Sequence, residues 1–191
     1  MKQILYILGL AILLSGIYTS CKDTTLETLH QNEVNARDKY VKDNNLTDAL
    51  DPSGIYFKSL TPSTDTTKIR TGFQVKMNFN ITLMDGTVVL TTDDGLGHNF
   101  EPYTFYVDNT NTTIALQYPQ QISGLNTGLK KMKVGETAFM VIPSELAFKA
   151  VDTSIPISTV YNILIPRFST LLATVYVKSG LSPAQQKENQ K

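Results

Sequence analysis

Several features are scarce in this sequence, and each absence excludes a class of protein. Cys21 is the only cysteine, so no disulfide framework can support the fold. Lysine plus arginine and aspartate plus glutamate both number 17, and no basic stripe predicts a nucleic-acid partner. The sequence contains no Ser-centred nucleophile elbow, no glycine-rich phosphate loop and no internal repeat. Its stability must therefore come from a hydrophobic core alone.

Metal ligands are also few. His30 and His98 lie far apart without a histidine or cysteine neighbour at metal-ligand spacing, so we expect both at the surface and predict no zinc or copper site. Asp93, Asp94 and Glu101 form a small acidic cluster that lacks the alternating pattern of a calcium loop. A solvated loop is the favoured interpretation, and we predict neither a metal nor a cofactor.

The longest apolar run, at residues 4–17, follows Lys2 and has the charge-then-apolar order of a secretory signal. It is shorter than the roughly 20 residues that span a bilayer. The run closes on small residues and Cys21, which is typical of a bacterial lipoprotein signal, although Tyr18 stands where leucine is usual. An ordinary cleaved signal with a chance cysteine is the alternative. We predict a signal peptide at 1–20, a lipid such as palmitate on Cys21, and a place in the bacterial cell envelope at the outer membrane.

The remaining chain divides by composition into three parts. Residues 21–51 are polar with a weak helical stripe between about 25 and 43, which predicts a lipid-anchored spacer containing a helix. From Pro52 onward, short apolar runs alternate with turn residues, which predicts one mainly β domain over 52–178. Residues 179–191 are predicted to be a polar, frayed tail.

The clearest strand lies at 73–83, where six apolar residues alternate with polar ones and predict one buried and one solvated face. Asp85 and Gly86 then predict a hairpin turn, and 87–92 returns as a β-branched strand. A further short strand is expected at 103–107. The first part of the domain is therefore predicted to be antiparallel.

One stretch of the domain, about 121–132, changes to helical spacing, and Gly135 follows as a plausible stop. Alternation returns at 138–142 and again at 171–177. These patterns predict an α+β domain with an antiparallel sheet and one short helix.

The order of these elements resembles the FKBP-type peptidyl-prolyl cis-trans isomerase family. The resemblance covers 52–178 and implies a strongly bent antiparallel sheet wrapped around one short helix. Two segments, 107–121 and 149–164, are longer than the family needs, and both flank the expected pocket. The similar motifs are Pro52 to Tyr56, Asp85 and Gly86, Ile122 to Leu125, Gly128 to Gly135, Ile142 and Pro143, Leu146 to Phe148, and Ile165 to Leu171.

The resemblance also implies a proline-binding pocket formed by Phe79, Tyr103, the backbone amide of Ile122, Leu125 and Phe148. Val89 and Leu90 stand where the family has a Phe-Asp pair, and Leu125 stands where it has the tryptophan that forms the pocket floor. Ala173 replaces its last-strand phenylalanine, and Ile165 is a further residue expected to flank the pocket. Phe148 keeps the ring of the usual tyrosine without its hydroxyl. Core packing alone is the competing interpretation for these apolar residues.

These sequence features leave three candidate functions. The first is a prolyl isomerase, possible without metal or cofactor, that acts on proline-containing segments of exported proteins. The second is an inactive FKBP-like chaperone or assembly module, favoured by the replaced pocket residues. The third is an unrelated β lipoprotein that binds sugar or another envelope component.

Overall fold

The computed structural model describes residues 25–92, 101–109, 111–115, 117–156 and 162–189. Within these ranges, no helix is both long enough and apolar enough to cross a membrane. The predictions made for the signal at 1–20, Cys21, Asp93, Asp94 and His98 concern residues outside the described ranges.

The described chain begins with helix α1 (Leu26–Asp43), which confirms the helix predicted between 25 and 43. The Thr25 side chain caps it by accepting a hydrogen bond from the Thr28 amide at 3.1 Å, which satisfies one of the donors left free at a helix start. A short 3-10 turn (Thr47–Ala49) then leads toward the first strand.

Most strands of the described chain form one antiparallel sheet, in the order β1, β5, β8, β2, β3, and β4 pairs with β2 next to β3. The remaining two, β6 and β7, form a separate antiparallel hairpin. The strands are β1 (Tyr56–Thr61), β2 (Gln74–Leu83), β3 (Val88–Thr91), β4 (Tyr103–Tyr106), β5 (Thr137–Ile142), β6 (Thr153–Pro156), β7 (Asn162–Ile165) and β8 (Leu171–Leu181).

The strand predicted at 73–83 and its hairpin turn are confirmed. Along β2, Val75, Met77, Phe79 and Ile81 are buried, while the polar residues between them are less buried. Gly86 adopts φ +89°, and the Leu83 amide donates to the Thr87 carbonyl at 2.8 Å across the turn. Glycine suits this turn because its missing Cβ removes the penalty for positive φ.

Among the described residues, four short helices follow or interrupt the sheet: α2 (Thr112–Ala115), α3 (Tyr118–Gln121), α4 (Ser123–Leu129) and α5 (Pro183–Glu188). The predicted helix at 121–132 is present in a shorter form as α4, but the expectation of one helix in the domain was wrong. Two one-turn helices, α2 and α3, occupy the first long segment.

Helix α5 also corrects the prediction of a frayed tail. Ser182 and Gln185 form a capping box, in which each side chain bonds the other's backbone amide. The Gln186 side chain donates to the Gly72 carbonyl at 2.9 Å. Local capping and this one tertiary contact order a segment whose composition is polar.

The sheet is covered on both faces. On the inner face, alternate residues of β2, β5 and β8 pack with Leu125 and Leu129 of α4 in the main hydrophobic core. On the outer face, Val41 of α1 and Leu46 pack with Val141 and Leu172. The segment predicted as a spacer therefore contacts the domain along the back of its sheet.

Candidate functional site

The predicted pocket begins with two aromatic rings on neighbouring strands. Phe79 on β2 and Tyr103 on β4 meet edge to face, with ring centroids 5.8 Å apart. Tyr103 also approaches Phe105 edge to face at 6.5 Å. Burial, and secondarily the charge of Tyr106, raises the pKa of Tyr103 to about 12, so its hydroxyl remains a neutral donor over the physiological range. These rings provide an apolar wall with one polar edge.

Ile122 and Leu125 lie where α4 begins, and both side chains are fully buried. The Ile122 amide donates to the Pro119 carbonyl at 3.3 Å, slightly longer than the usual range for such a bond. The predicted donor for a substrate carbonyl is thus already engaged within the chain.

Phe148 follows a 3-10 turn (Ser144–Leu146) and packs, partly buried, against the same core. The Ser123 hydroxyl donates to the Leu146 carbonyl at 3.1 Å and joins this turn to the start of α4. The segment bearing Phe148 is therefore held beside the helix that bears Leu125.

The predicted flanking residues lie in the same hydrophobic cluster. Val89, Ile165 and Ala173 are buried, and Leu90 packs against them while partly exposed. The structure thus gathers all nine predicted pocket residues into one cluster. That cluster is also the core of the domain, so their role in binding stays a prediction beside the core-packing interpretation.

Sequence reasoning missed the role of α3, which immediately precedes Ile122. The Tyr103 hydroxyl bonds the Gln117 side-chain oxygen at 2.5 Å, and the Tyr118 hydroxyl donates to the Ser154 carbonyl at 3.0 Å. Gln120 is buried and forms two bonds of 2.9 and 3.0 Å with the backbone of Tyr106. The only local signal is Pro119, which suits the first turn of a helix.

The second long segment supplies the hairpin of β6 and β7. Ile155 and Ile165 turn inward and are buried in the core. Leu164 is 62% exposed and Val151 is 61% exposed. The hairpin therefore adds outward apolar side chains next to the segment that bears Phe148.

A charged cluster lies between α1 and the domain. One ligand atom each of His30, Glu33 and Glu145 falls within 4.8 Å of the others, which sequence separation concealed. Arg37 Nη1 lies 3.3 Å from Glu33 and 3.9 Å from Glu145, and His30 Nε2 lies 2.6 Å from Glu145. The His30 ring also stacks on Phe168 at 5.1 Å. Because Arg37 forms ion pairs with both carboxylates and His30 already bonds Glu145, we interpret the cluster as an ion-pair network rather than a metal site.

Comparisons with known proteins agree with this architecture. The family model described as FKBP-type peptidyl-prolyl cis-trans isomerase matches residues 65–178. No curated protein sequence matches the chain.

Similar solved structures carry the same fold. FkpA from Escherichia coli is 20% identical, with a TM-score of 0.62 over 95% of this chain and 71% of that one. A peptidyl-prolyl cis-trans isomerase from Pseudomonas syringae pv. tomato is 20% identical, with a TM-score of 0.56 over 78% and 94%. The three FKBP domains of wheat FKBP73 give 26% identity and a TM-score of 0.53 over 69% and 48%. The predicted α+β fold is confirmed.

Proposed function

The chain belongs to the FKBP-type peptidyl-prolyl cis-trans isomerase family, and we propose that it accelerates rotation about Xaa-Pro bonds in exported or envelope proteins. The observation that carries this proposal is the Phe79–Tyr103 edge-to-face pair, which stands in one cluster with Ile122, Leu125 and Phe148.

Such a site needs no catalytic acid or base. Rotation about a peptide bond crosses a barrier of about 18–20 kcal/mol because the planar amide loses its resonance. The planar form is the more charge-separated one, so an apolar environment disfavours it relative to the twisted form. Interactions made better in the twisted state accelerate the reaction. An aromatic cup for the proline ring and one backbone donor for the carbonyl are sufficient.

The proposed activity is weak. Leu125, Ala173 and the Val89–Leu90 pair replace aromatic or acidic residues of the family pattern, and Phe148 lacks a hydroxyl that could donate to substrate. The Ile122 amide must also leave the Pro119 carbonyl before it can bind a client. Each feature would reduce stabilisation of the twisted state, while the Phe79–Tyr103 pair remains available to contact the proline ring.

One observation favours a second candidate, a chaperone or assembly module that binds clients without isomerising them. Val151 and Leu164 expose apolar side chains on the segment that follows Phe148. Exposed apolar residues suit contact with unfolded chain segments. This surface could hold a client whether or not the cup catalyses.

Adding the missing hydroxyl tests the isomerase proposal. We expect the purified full chain in detergent to accelerate isomerisation of proline tetrapeptides, and Phe148→Tyr to raise kcat/KM about fivefold, the usual worth of one hydrogen bond. Protease-coupled kinetics would measure both. Phe139→Tyr is the matched control, because Phe139 packs on the outer face of the sheet.

Uncatalysed rates for both proteins, with several residues preceding proline, would refute catalysis. Suppression of client aggregation by the same preparations would then support the chaperone alternative. A loss of that suppression on Leu164→Ser would locate the client surface on the hairpin.

We further propose that a lipid on Cys21 holds the protein at the envelope membrane. Helix α1 begins at Leu26, five positions after Cys21, and packs on the domain. A chain of that length extends at most about 17 Å. Attachment at Cys21 would therefore keep the start of α1 within about 17 Å of the lipid-bearing residue.

Cys21→Ser is expected to move the protein from the membrane fraction to the soluble fraction of the cell envelope. A lipoprotein cysteine carries several acyl chains, and two or more anchor stably where one is marginal. Fractionation followed by mass spectrometry of the mature N-terminus would measure the change. Unaltered membrane association, or an unmodified Cys21, would contradict the proposal.

A further inference from the structure

Three residues of the segment that precedes Ile122 form hydrogen bonds with neighbouring elements. Gln117 bonds the Tyr103 hydroxyl at 2.5 Å, Gln120 bonds the backbone of Tyr106, and the Tyr118 hydroxyl donates to the Ser154 carbonyl at 3.0 Å. The first two partners belong to β4 of the sheet. The third belongs to the β6–β7 hairpin.

The position of the Ser154 carbonyl is fixed because neighbouring residues of the hairpin are buried in the core. The neighbouring Ile155 is 2% exposed, and Ile165 on the paired strand is fully buried. Ser154 itself pairs with Leu164, whose side chain points outward. The Tyr118 ring also packs against the core, so its hydroxyl is positioned rather than free to rotate in solvent.

This fastening bears directly on the predicted substrate donor. Pro119 is the residue after Tyr118, and its carbonyl accepts the Ile122 amide at 3.3 Å. An amide engaged in this way cannot also donate at full strength to a prolyl carbonyl. A motion that carries the Tyr118–Pro119 backbone away from Ile122 would strain the bond from the Tyr118 hydroxyl to the Ser154 carbonyl.

We infer that Tyr118 is a positioning residue that keeps the Ile122 amide engaged with Pro119 and thereby controls when that donor becomes available to a client. The inference rests on the proposed function, since it assigns the Ile122 amide to the client carbonyl. Tyr118 lies in the segment that precedes Ile122 and bonds the β6–β7 hairpin. It acts on the Ile122 amide through Pro119.

Tyr118→Phe tests this role because it removes one oxygen and keeps the packed ring. In ¹⁵N-labelled full chain, we expect hydrogen exchange of the Ile122 amide to accelerate about fivefold, the factor expected for one lost hydrogen bond. Isomerisation of a proline tetrapeptide should show kcat/KM raised by a similar factor. Tyr106→Phe is the matched control, since the Tyr106 hydroxyl accepts from Gln74 at 3.3 Å and makes no bond to α3.

Unchanged exchange at Ile122 in Tyr118→Phe would overturn the inference, whatever the activity. Faster exchange with a lower kcat/KM would also overturn it, because Tyr118 would then support the pocket instead of restraining the donor. Faster exchange in a protein whose wild type and variant both lack catalysis would uphold the restraint and refute the isomerase proposal. The exchange measurement therefore separates the two failures.

Discussion

Replacing Glu33 with alanine is expected to lower the free energy of unfolding by about 3 kcal/mol, because the change removes the nearest carboxylate from a largely buried guanidinium. The Glu33 side chain is 3% exposed and that of Arg37 is 14% exposed. Glu33 also accepts hydrogen bonds from the Thr170 hydroxyl and, at 3.5 Å, from the Ser144 amide. Three donors therefore lose their acceptor at once.

Urea denaturation of the full chain would measure this loss of stability. Two further variants test whether it comes from the Glu33–Arg37 pair. Glu27→Ala, on an exposed position of the same helix, should cost less than about 1 kcal/mol, since it removes only a favourable charge near the helix start. The Glu33→Ala/Arg37→Ala double variant should lose less stability than the sum of its singles, because the buried cation is removed together with its nearest carboxylate. Equal losses for Glu27→Ala and Glu33→Ala would mean that the cluster does not fasten α1.

The position of Glu33 gives this cluster a role beyond stability. Its partners Ser144 and Thr170 lie on either side of the second long segment, near Phe148 at one end and at the start of β8 at the other. Helix α1 therefore holds both ends of the segment that carries the hairpin. Through these contacts, α1 supports one rim of the predicted pocket.

Local patterns predicted the sheet well because strand alternation and turn chemistry are short-range properties. The alternation along β2 and the Asp85–Gly86 turn each depend on neighbouring residues alone, and both were confirmed. Family resemblance also brought Phe79 and Tyr103 together, although they are far apart in sequence. The pairing of β2 with β4 explains their contact.

The contacts that fasten α1 and α3 could not be predicted from sequence. Glu33 looks like an ordinary surface residue of a weak helical stripe, and its burial depends on Thr170, which is 137 positions away. Tyr118 likewise gave no periodic signal, because one helical turn is too short to show one. Long-range polar pairs are specified by packing, which a single sequence does not display.

Gly124→Ala is expected to cost about 3 kcal/mol, the upper part of the range for an overpacked core. A Cβ at this position would stand less than 3.0 Å from the Ile142 side chain on β5. Ile142 is fully buried and β-branched, so its rotamer freedom is small and it cannot move aside. Helix α4 would have to shift, and Ile122 directly before it would shift as well.

Gly128→Ala is the matched control, because it lies one turn later on the same helix and gains the same helix propensity of about 1 kcal/mol. Its new Cβ would meet the sulfur and terminal methyl of Met140, which can adopt other rotamers. Thermal denaturation should therefore give Gly124→Ala a clearly lower melting temperature than Gly128→Ala. Equal losses would contradict the prediction, because they would mean that Ile142 accommodates an added methyl group as readily as Met140 does, and that the contact with β5 does not fix the start of α4.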